Sequence, residues 1–235
     1  MRLPAAIIGL AIASAQGQSF EAATIRPAAP ASGGGRATAS GDRIAYSNTT
    51  LLNVLVRAYG LTFAGQVLGP SWIFTERYDI AAKAPDGTPK DQIPLMLQNL
   101  LVERFKLTLH HETKDLPVYD LVIGKGQLKL KKSGESAVKN DWAIEGEHRS
   151  AKSMNLATLA TYLTLMFGAR TPVQDKTGLE GYYDFLFDLT KEETARDSAP
   201  SIFSVVDDLG LYLESRKAPF DVLVIDSGNW QPAEN

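Results

Sequence analysis

ERFKLTLHHETKDLPVYDLVIGKG, residues 103–126, and DLGLYLESRKAPFDVLVIDSG, residues 208–228, carry one pattern twice. Each reads as an alternating strand, a short charged turn with a proline, and a second apolar strand that ends near a glycine. Placing Ile123 on Ile225 sets Leu121 on Leu223 and Gly126 on Gly228, with the longer turn in the first copy. The segments in front correspond as well. LLNVLVRAYG (51–60), a loop and RYDIAAKAP (77–85) match LATYLTLMFG (159–168), a loop and YYDFLFDLT (182–190). The sequence thus predicts a helix–strand–helix–hairpin unit used twice. The fold class is α+β, with helices packed on mostly antiparallel sheet.

Working outward, Phe20–Arg26 alternates and stops at Pro27, which predicts the first strand. Residues 27–42, PAAPASGGGRATASGD, are small, aperiodic and rich in Gly and Pro, and are expected to be a loop. Gly33-Gly34-Gly35-Arg36 lacks the spacing of a phosphate-binding loop. A helix is expected from a cap at Asn48 or Thr49, with Leu52, Leu55, Val56 and Tyr59 on one face and a stop at Gly60. Asp91 is expected to cap a second helix carrying Ile93, Met96, Leu97, Leu100 and Leu101, with Pro94 tolerated in its first turn. In the second copy, Asn155 caps a helix stopped by Gly168, Tyr182–Leu189 is a strand, and Pro200-Ser201 opens a short helix ending at Gly210. The polar stretch 131–150 reads as a linker between repeats at 16–130 and 151–235.

Composition narrows the function classes. Cysteine is absent, which removes disulfides, thiolate metal sites and cysteine nucleophiles together. With 24 basic against 27 acidic residues, the chain has no electrostatic footprint for nucleic acid and no polybasic membrane anchor. Residues 1–15 form a secretory signal peptide: Arg2, an apolar run from Ala5 to Ala13, and the small-residue cleavage site Ala13-Ser14-Ala15. An uncleaved anchor is the competing reading. No later stretch has the apolar length of a transmembrane helix. The expectation is an extracytoplasmic protein, periplasmic or secreted.

Several strings resemble catalytic motifs and fail on context. Asp175-Lys176-Thr177-Gly178 matches the phosphorylation motif of P-type pumps, which need nucleotide and membrane domains. The local chemistry is that of a tight turn with glycine at positive φ. Lys176-Thr177-Gly178, Ser136-Ala137-Val138-Lys139 and Tyr46-Ser47-Asn48 imitate the boxes of penicillin-recognising serine enzymes, but their order is wrong. The serine also lies in a polar linker rather than at a buried helix start. The three histidines are His110, His111 and His148. His110 and His111 point to opposite faces of a strand, while His110 shares a face with Glu112, a two-ligand start that His148 could join. Solvated histidines at a hairpin end are the plainer reading. Asp79 and Asp184 fall at equivalent positions of the two copies, which points to a structural role in each. Trp72, Trp142 and Trp230 could line a pocket, with packing the default. No catalytic, cofactor-binding or metal-binding residue is assigned. The candidate binding residues are Trp72, His110, His111, Glu112 and Asp175.

The segments FEAATIRP, LGPSWIFTERYDIAAKAP, MLQNLLVERFKLTLHHETKDLPVYDLVI, PVQDKTGLEGYYDFLFDLT and LGLYLESRKAPFDVLVID, with the terminal PAEN, resemble the soil-associated bacterial exported protein family, a domain of unknown function. The resemblance covers nearly the whole mature chain. It implies an exported domain found alone or attached to sensor-type metallopeptidases, and it supplies no catalytic residues. The helix–strand units are also similar, at the level of fold, to the short N-terminal domain of secretins and TonB-dependent receptors, a periplasmic interaction module. The functional expectation is a non-catalytic binding or protein-interaction domain whose partner is a protein or peptide of the cell envelope. One compatible mode is edge-strand pairing with an extended peptide. The alternative is a small secreted or periplasmic hydrolase with a dispersed site built from His110, Glu112 and Asp175.

Overall fold

A computed structural model of the protein describes residues 19–29, 35–134, 141–145, 148–188 and 202–234. The signal peptide expected over 1–15, the Ser136–Lys139 box and the Pro200-Ser201 helix start lie outside these residues, as do the side chains of Trp142 and His148. The chain divides into two compact units that are not consecutive in sequence. One comprises 1–60, 70–108 and 226–235, and the other 61–69 and 109–225.

The first unit is built on a four-stranded sheet. Its strands are β1 (Ala22–Pro27), β2 (Arg36–Ser40), β3 (Arg43–Thr50) and, following β4 (Val67–Leu68) and the one-turn helix α2 (Trp72–Thr75), β5 (Arg77–Lys83). The order is β1-β5-β3-β2, all antiparallel. Alternation along β5 buries Tyr78, Ile80 and Ala82 and exposes Arg77, Asp79 and Ala81. Helix α1 (Leu51–Ala58) buries Leu51, Val54, Leu55 and Ala58, and α3 (Ile93–Phe105) buries Met96, Leu97, Leu100, Leu101 and Phe105. Full burial of such aliphatic side chains is worth about 1.5–3 kcal/mol each, so this layer holds the unit together.

The second unit also holds a four-stranded sheet with helices. After β6 (Thr108–Ile123) come β7 (Lys131–Lys132), β8 (Asp141–Glu145), β9 (His148–Met154), α4 (Leu156–Met166), β10 (Val173–Asp175), β11 (Tyr183–Asp188), α5 (Ile202–Asp208) and β12 (Leu211–Ser227). Its sheet runs β7-β11-β9-β8, and its core gathers Met154, Leu156, Leu159, Leu163, Phe185, Val206 and Leu211. Asn155 caps α4 as expected, its side chain accepting the Thr158 N–H at 2.8 Å. The stretch 131–150, expected as linker, therefore carries strands. So does 27–42, expected as loop, where β2 begins at Arg36. These strands are short, and apart from Trp142 and Ile144 in β8 and Met154 in β9 they consist of small, charged or polar residues, so alternation leaves little apolar trace.

The two hairpins read from the sequence are not hairpins. β6 and β12 are each one continuous strand, and they pair with each other in the order β10-β6-β12-β4. Gly124 N–H donates to Gly210 O at 3.0 Å, and Asn229 N–H donates to Phe105 O at 2.7 Å, so the strands run antiparallel. A tight hairpin needs Gly, Asn or Asp at positive φ. None of the described positive-φ residues falls within β6 or β12. Lys114–Pro117 and Arg216–Pro219 accordingly stay extended. β10 and β4 then add in parallel to the outer sides, at Val173–Tyr119 and Val67–Leu223.

Asp79 and Asp184 do the same work in the two units. Asp79 Oδ1 accepts the N–H of Asn48 at 2.8 Å, and Asp184 Oδ1 accepts that of Ser153 at 2.8 Å. Both partners sit at positive φ, 50° and 49°, just ahead of a helix. Each carboxylate thus clamps a strained residue where the strand gives way to the helix. This explains why Asn48 does not cap α1, whose N-cap is Thr50 without a side-chain bond. Asp91 does not cap α3 either; Gln92 occupies that position.

The Ser133 hydroxyl, with the Ser153 N–H, holds the Asp184 carboxyl below the usual carboxylate range. A depressed folded-state value contributes stability above the unfolded value near 4, which is lost as pH falls through the folded value. Urea unfolding of Asp184→Ala is therefore expected to show a lowered midpoint at neutral pH, with the gap from the native chain narrowing below about pH 4. Gly210 sits at φ 77°, and a Cβ there would lie 2.4 Å from the Gln127 carbonyl oxygen. Gly210→Ala is expected to destabilise by about 1–3 kcal/mol by the same measurement.

Candidate functional site

His110, His111 and Glu112 are exposed residues of β6 rather than of a turn. Strand alternation gives His110 and Glu112 one face and His111 the other. His111 Nδ1 lies 2.9 Å from Asp221 Oδ2 on the neighbouring strand β12. The two side chains are 45% and 63% exposed, which places this pair in high dielectric. Glu112 Oε1 approaches Lys114 Nζ at 3.7 Å on its own strand.

Asp175 is far from these groups. On β10 it stands in register with Leu121, nine residues along β6 from Glu112. At the rise of an extended strand, that separation is roughly 30 Å. Its carboxylate is engaged locally, Oδ1 accepting the Thr177 N–H at 3.0 Å and the Thr177 hydroxyl at 2.7 Å. Gly178 follows at φ 69°. Asp175-Lys176-Thr177-Gly178 is a side-chain-closed turn. The dispersed site imagined from His110, Glu112 and Asp175 is not brought together.

Trp72, in the first unit, is half-buried and stacks on Phe105 with ring centroids 6.0 Å apart. Phe105 in turn meets Tyr78 edge-on at 5.0 Å. The Tyr78 hydroxyl donates to Trp230 O at 2.6 Å, and burial pushes its pKa up to about 12. Gly228 lies against Trp72 and Leu107 so closely that a Cβ would come within 2.6 Å of Leu107 Cδ2. Trp72 is therefore a packing residue that fixes the chain after β12. Among the described residues, no group of three or more His, Asp or Glu is placed to hold a metal ion. No helix among them is long and apolar enough to cross a membrane.

Two features escape a reading of the sequence. Arg216 on β12 pairs with the largely buried Asp120 on β6 at 2.6 Å, a contact between strands far apart in the chain. The other is β2, the terminal strand of its sheet, with all five residues exposed. Its one sequence signal is Gly41-Asp42, a two-residue hairpin turn between Ser40 and Arg43. Gly41 at φ 59° supplies the positive φ a type II′ turn needs at its first position. Small alternating residues hid the strand inside an apparent loop.

A family model described as protein of unknown function (DUF3738) matches residues 53–227. No curated protein and no solved structure matches the chain.

A double-mutant cycle over His111→Ala and Asp221→Ala is expected to give a coupling below about 1 kcal/mol that shrinks with added salt. Trp72→Ala is expected to lower stability by about 2–3 kcal/mol, less than for a fully buried tryptophan. Both are read by chemical denaturation.

Proposed function

The chain belongs to the DUF3738 family of proteins of unknown function, and we propose that it is an extracytoplasmic, non-catalytic binding domain. Its partner is a protein or peptide segment of the cell envelope. The observation that carries this reading is the engagement of the polar candidates. Asp175 closes a turn, Asp79 and Asp184 clamp backbone, and His111 meets Asp221 on an open strand pair. The matching strand orders and the matching Asp79 and Asp184 clamps support reading the halves as two copies of one unit. The resemblance to the exported soil-associated family and the Ala13-Ser14-Ala15 site support export.

Fractionation with N-terminal sequencing tests export, with a mature chain beginning at Gln16 expected. Cross-linking in intact cells followed by mass spectrometry tests binding, with reproducible linkage to an extracytoplasmic protein expected. A cytoplasmic chain that keeps Met1 contradicts the export reading. Turnover of an ester, peptide or glycoside substrate by the purified protein, abolished by His110→Ala, would establish the hydrolase reading instead.

A further inference from the structure

We propose that β2 is the binding edge, and that its ligand is an extended peptide with two acidic residues four positions apart. The inference rests on the binding reading above and names its site and ligand class. The register of the β2–β3 hairpin carries it. With a two-residue turn at Gly41-Asp42, the closing pair Ser40–Arg43 exchanges hydrogen bonds, and so do Thr38–Ala45 and Arg36–Ser47. The intervening residues Ala37 and Ala39 therefore direct their N–H and C=O groups away from β3. Because β2 ends the sheet, these groups form a row of donors and acceptors facing outward.

Proline, bulges and bulky cover, which block many edges, are absent here. β2 has no proline, no bulge against β3 and no side chain larger than threonine between Arg36 and Ser40. The other edge of the same sheet, β1, ends in Pro27, and Gln231–Glu234 line a 620 Å³ groove along it. The edges of the central sheet in the second unit, β10 and β4, are three and two residues long. β8 (Asp141–Glu145) ends the other four-stranded sheet in the corresponding place, but it begins and ends in acidic residues, so among the described residues β2 is the open edge suited to an acidic extended chain.

Charge decides which chain it takes. Arg36 shares the solvent face with Thr38 and Ser40, and Arg43 lies on that face opposite Ser40. Neither arginine forms an ion pair among the described residues. Lys83, which is in register with Arg43 on β5, is already surrounded by Glu21 at 2.7 Å, Asp42 at 3.7 Å and Asp86 at 3.9 Å. The rows of Arg36 and Ser40 are four residues apart, roughly 13 Å along the strand. Acidic side chains four apart on an added strand share one face and meet Arg36 and Arg43 in turn. A second copy of this chain paired antiparallel through β2 would instead bring the Arg36 row of each copy to the Ser40–Arg43 row of the other. That juxtaposition of like charges disfavours self-pairing.

The test uses the full mature chain and a capped nonapeptide with glutamates at its third and seventh positions and alternating threonine and valine elsewhere. NMR titration is expected to shift the amides of Ala37 and Ala39. Ala39→Pro removes one outward N–H without touching a bond to β3, and is expected to weaken binding about tenfold or more. Arg36→Glu with Arg43→Glu leaves the backbone intact. It is expected to weaken the glutamate probe about tenfold or more and to favour the lysine-substituted probe. Absence of binding by the folded native chain overturns the proposal, as does binding that survives Ala39→Pro and the charge reversal. Self-association through β2, abolished by Ala39→Pro, also overturns it by giving the edge to a second copy. A cross-linked envelope partner mapped to another surface removes β2 as the site while the binding reading stands. Loss of that reading shows separately, as substrate turnover.

Discussion

The pairing of β6 with β12 is the constraint on which the remaining arrangement depends. Each strand is 16 or 17 residues long and carries an unpaired row of N–H and C=O groups unless another strand meets it. Neither has a turn on which to fold back, so each satisfies that need with the other. The approach is close where Gly124 meets Gly210: a Cβ on Gly124 would come 3.1 Å from the Gly210 carbonyl oxygen, a tight contact. Beyond β12, Asn229 bonds to Phe105 and the Tyr78 hydroxyl holds Trp230. Packing in the first unit is therefore set partly by residues from the far end of the chain.

A second device makes the strand-to-helix joints possible. Leaving β3 for α1, or β9 for α4, the chain passes through a residue at positive φ. Neither Asn48 nor Ser153 is glycine, so the conformation is held by a carboxylate on the adjacent strand. In the second unit Ser133 adds its hydroxyl to Asp184. The clamps aim the helices across the sheet, which lets Leu51, Val54 and Leu55, or Leu156, Leu159 and Leu163, reach the core.

These demands shape what is left for function. Asp175 and Trp72 are committed to a turn and to ring packing, and Arg216 is committed to Asp120. β2 stands outside that economy: its side chains bury nothing, and the backbone groups of Ala37 and Ala39 face outward. The binding reading derives from how the fold engages its polar candidates, and its extension to an acidic extended ligand from what the fold leaves open at β2.

Much of the architecture was legible because its signals are local. Periodicity at Leu51–Ala58, the cap at Asn155, the glycine stop at Gly168 and the alternation of Arg77–Lys83 depend on neighbours a few residues away. The paired aspartates were legible too, since equivalent positions in a repeated pattern point to a structural duty. What failed depended on distance. One alternating pattern suits a strand of a hairpin and a strand paired with a segment about a hundred residues away, because side-chain alternation records which faces are buried and not by whom. For the same reason His110, Glu112 and Asp175 looked combinable until β10 was found in register with Leu121. The sequence by itself determined the helices, the strands with apolar alternation and the absence of cysteine chemistry. Only the tertiary structure decided which strands pair and which edge stays open, because hydrogen bonds between strands carry no residue code.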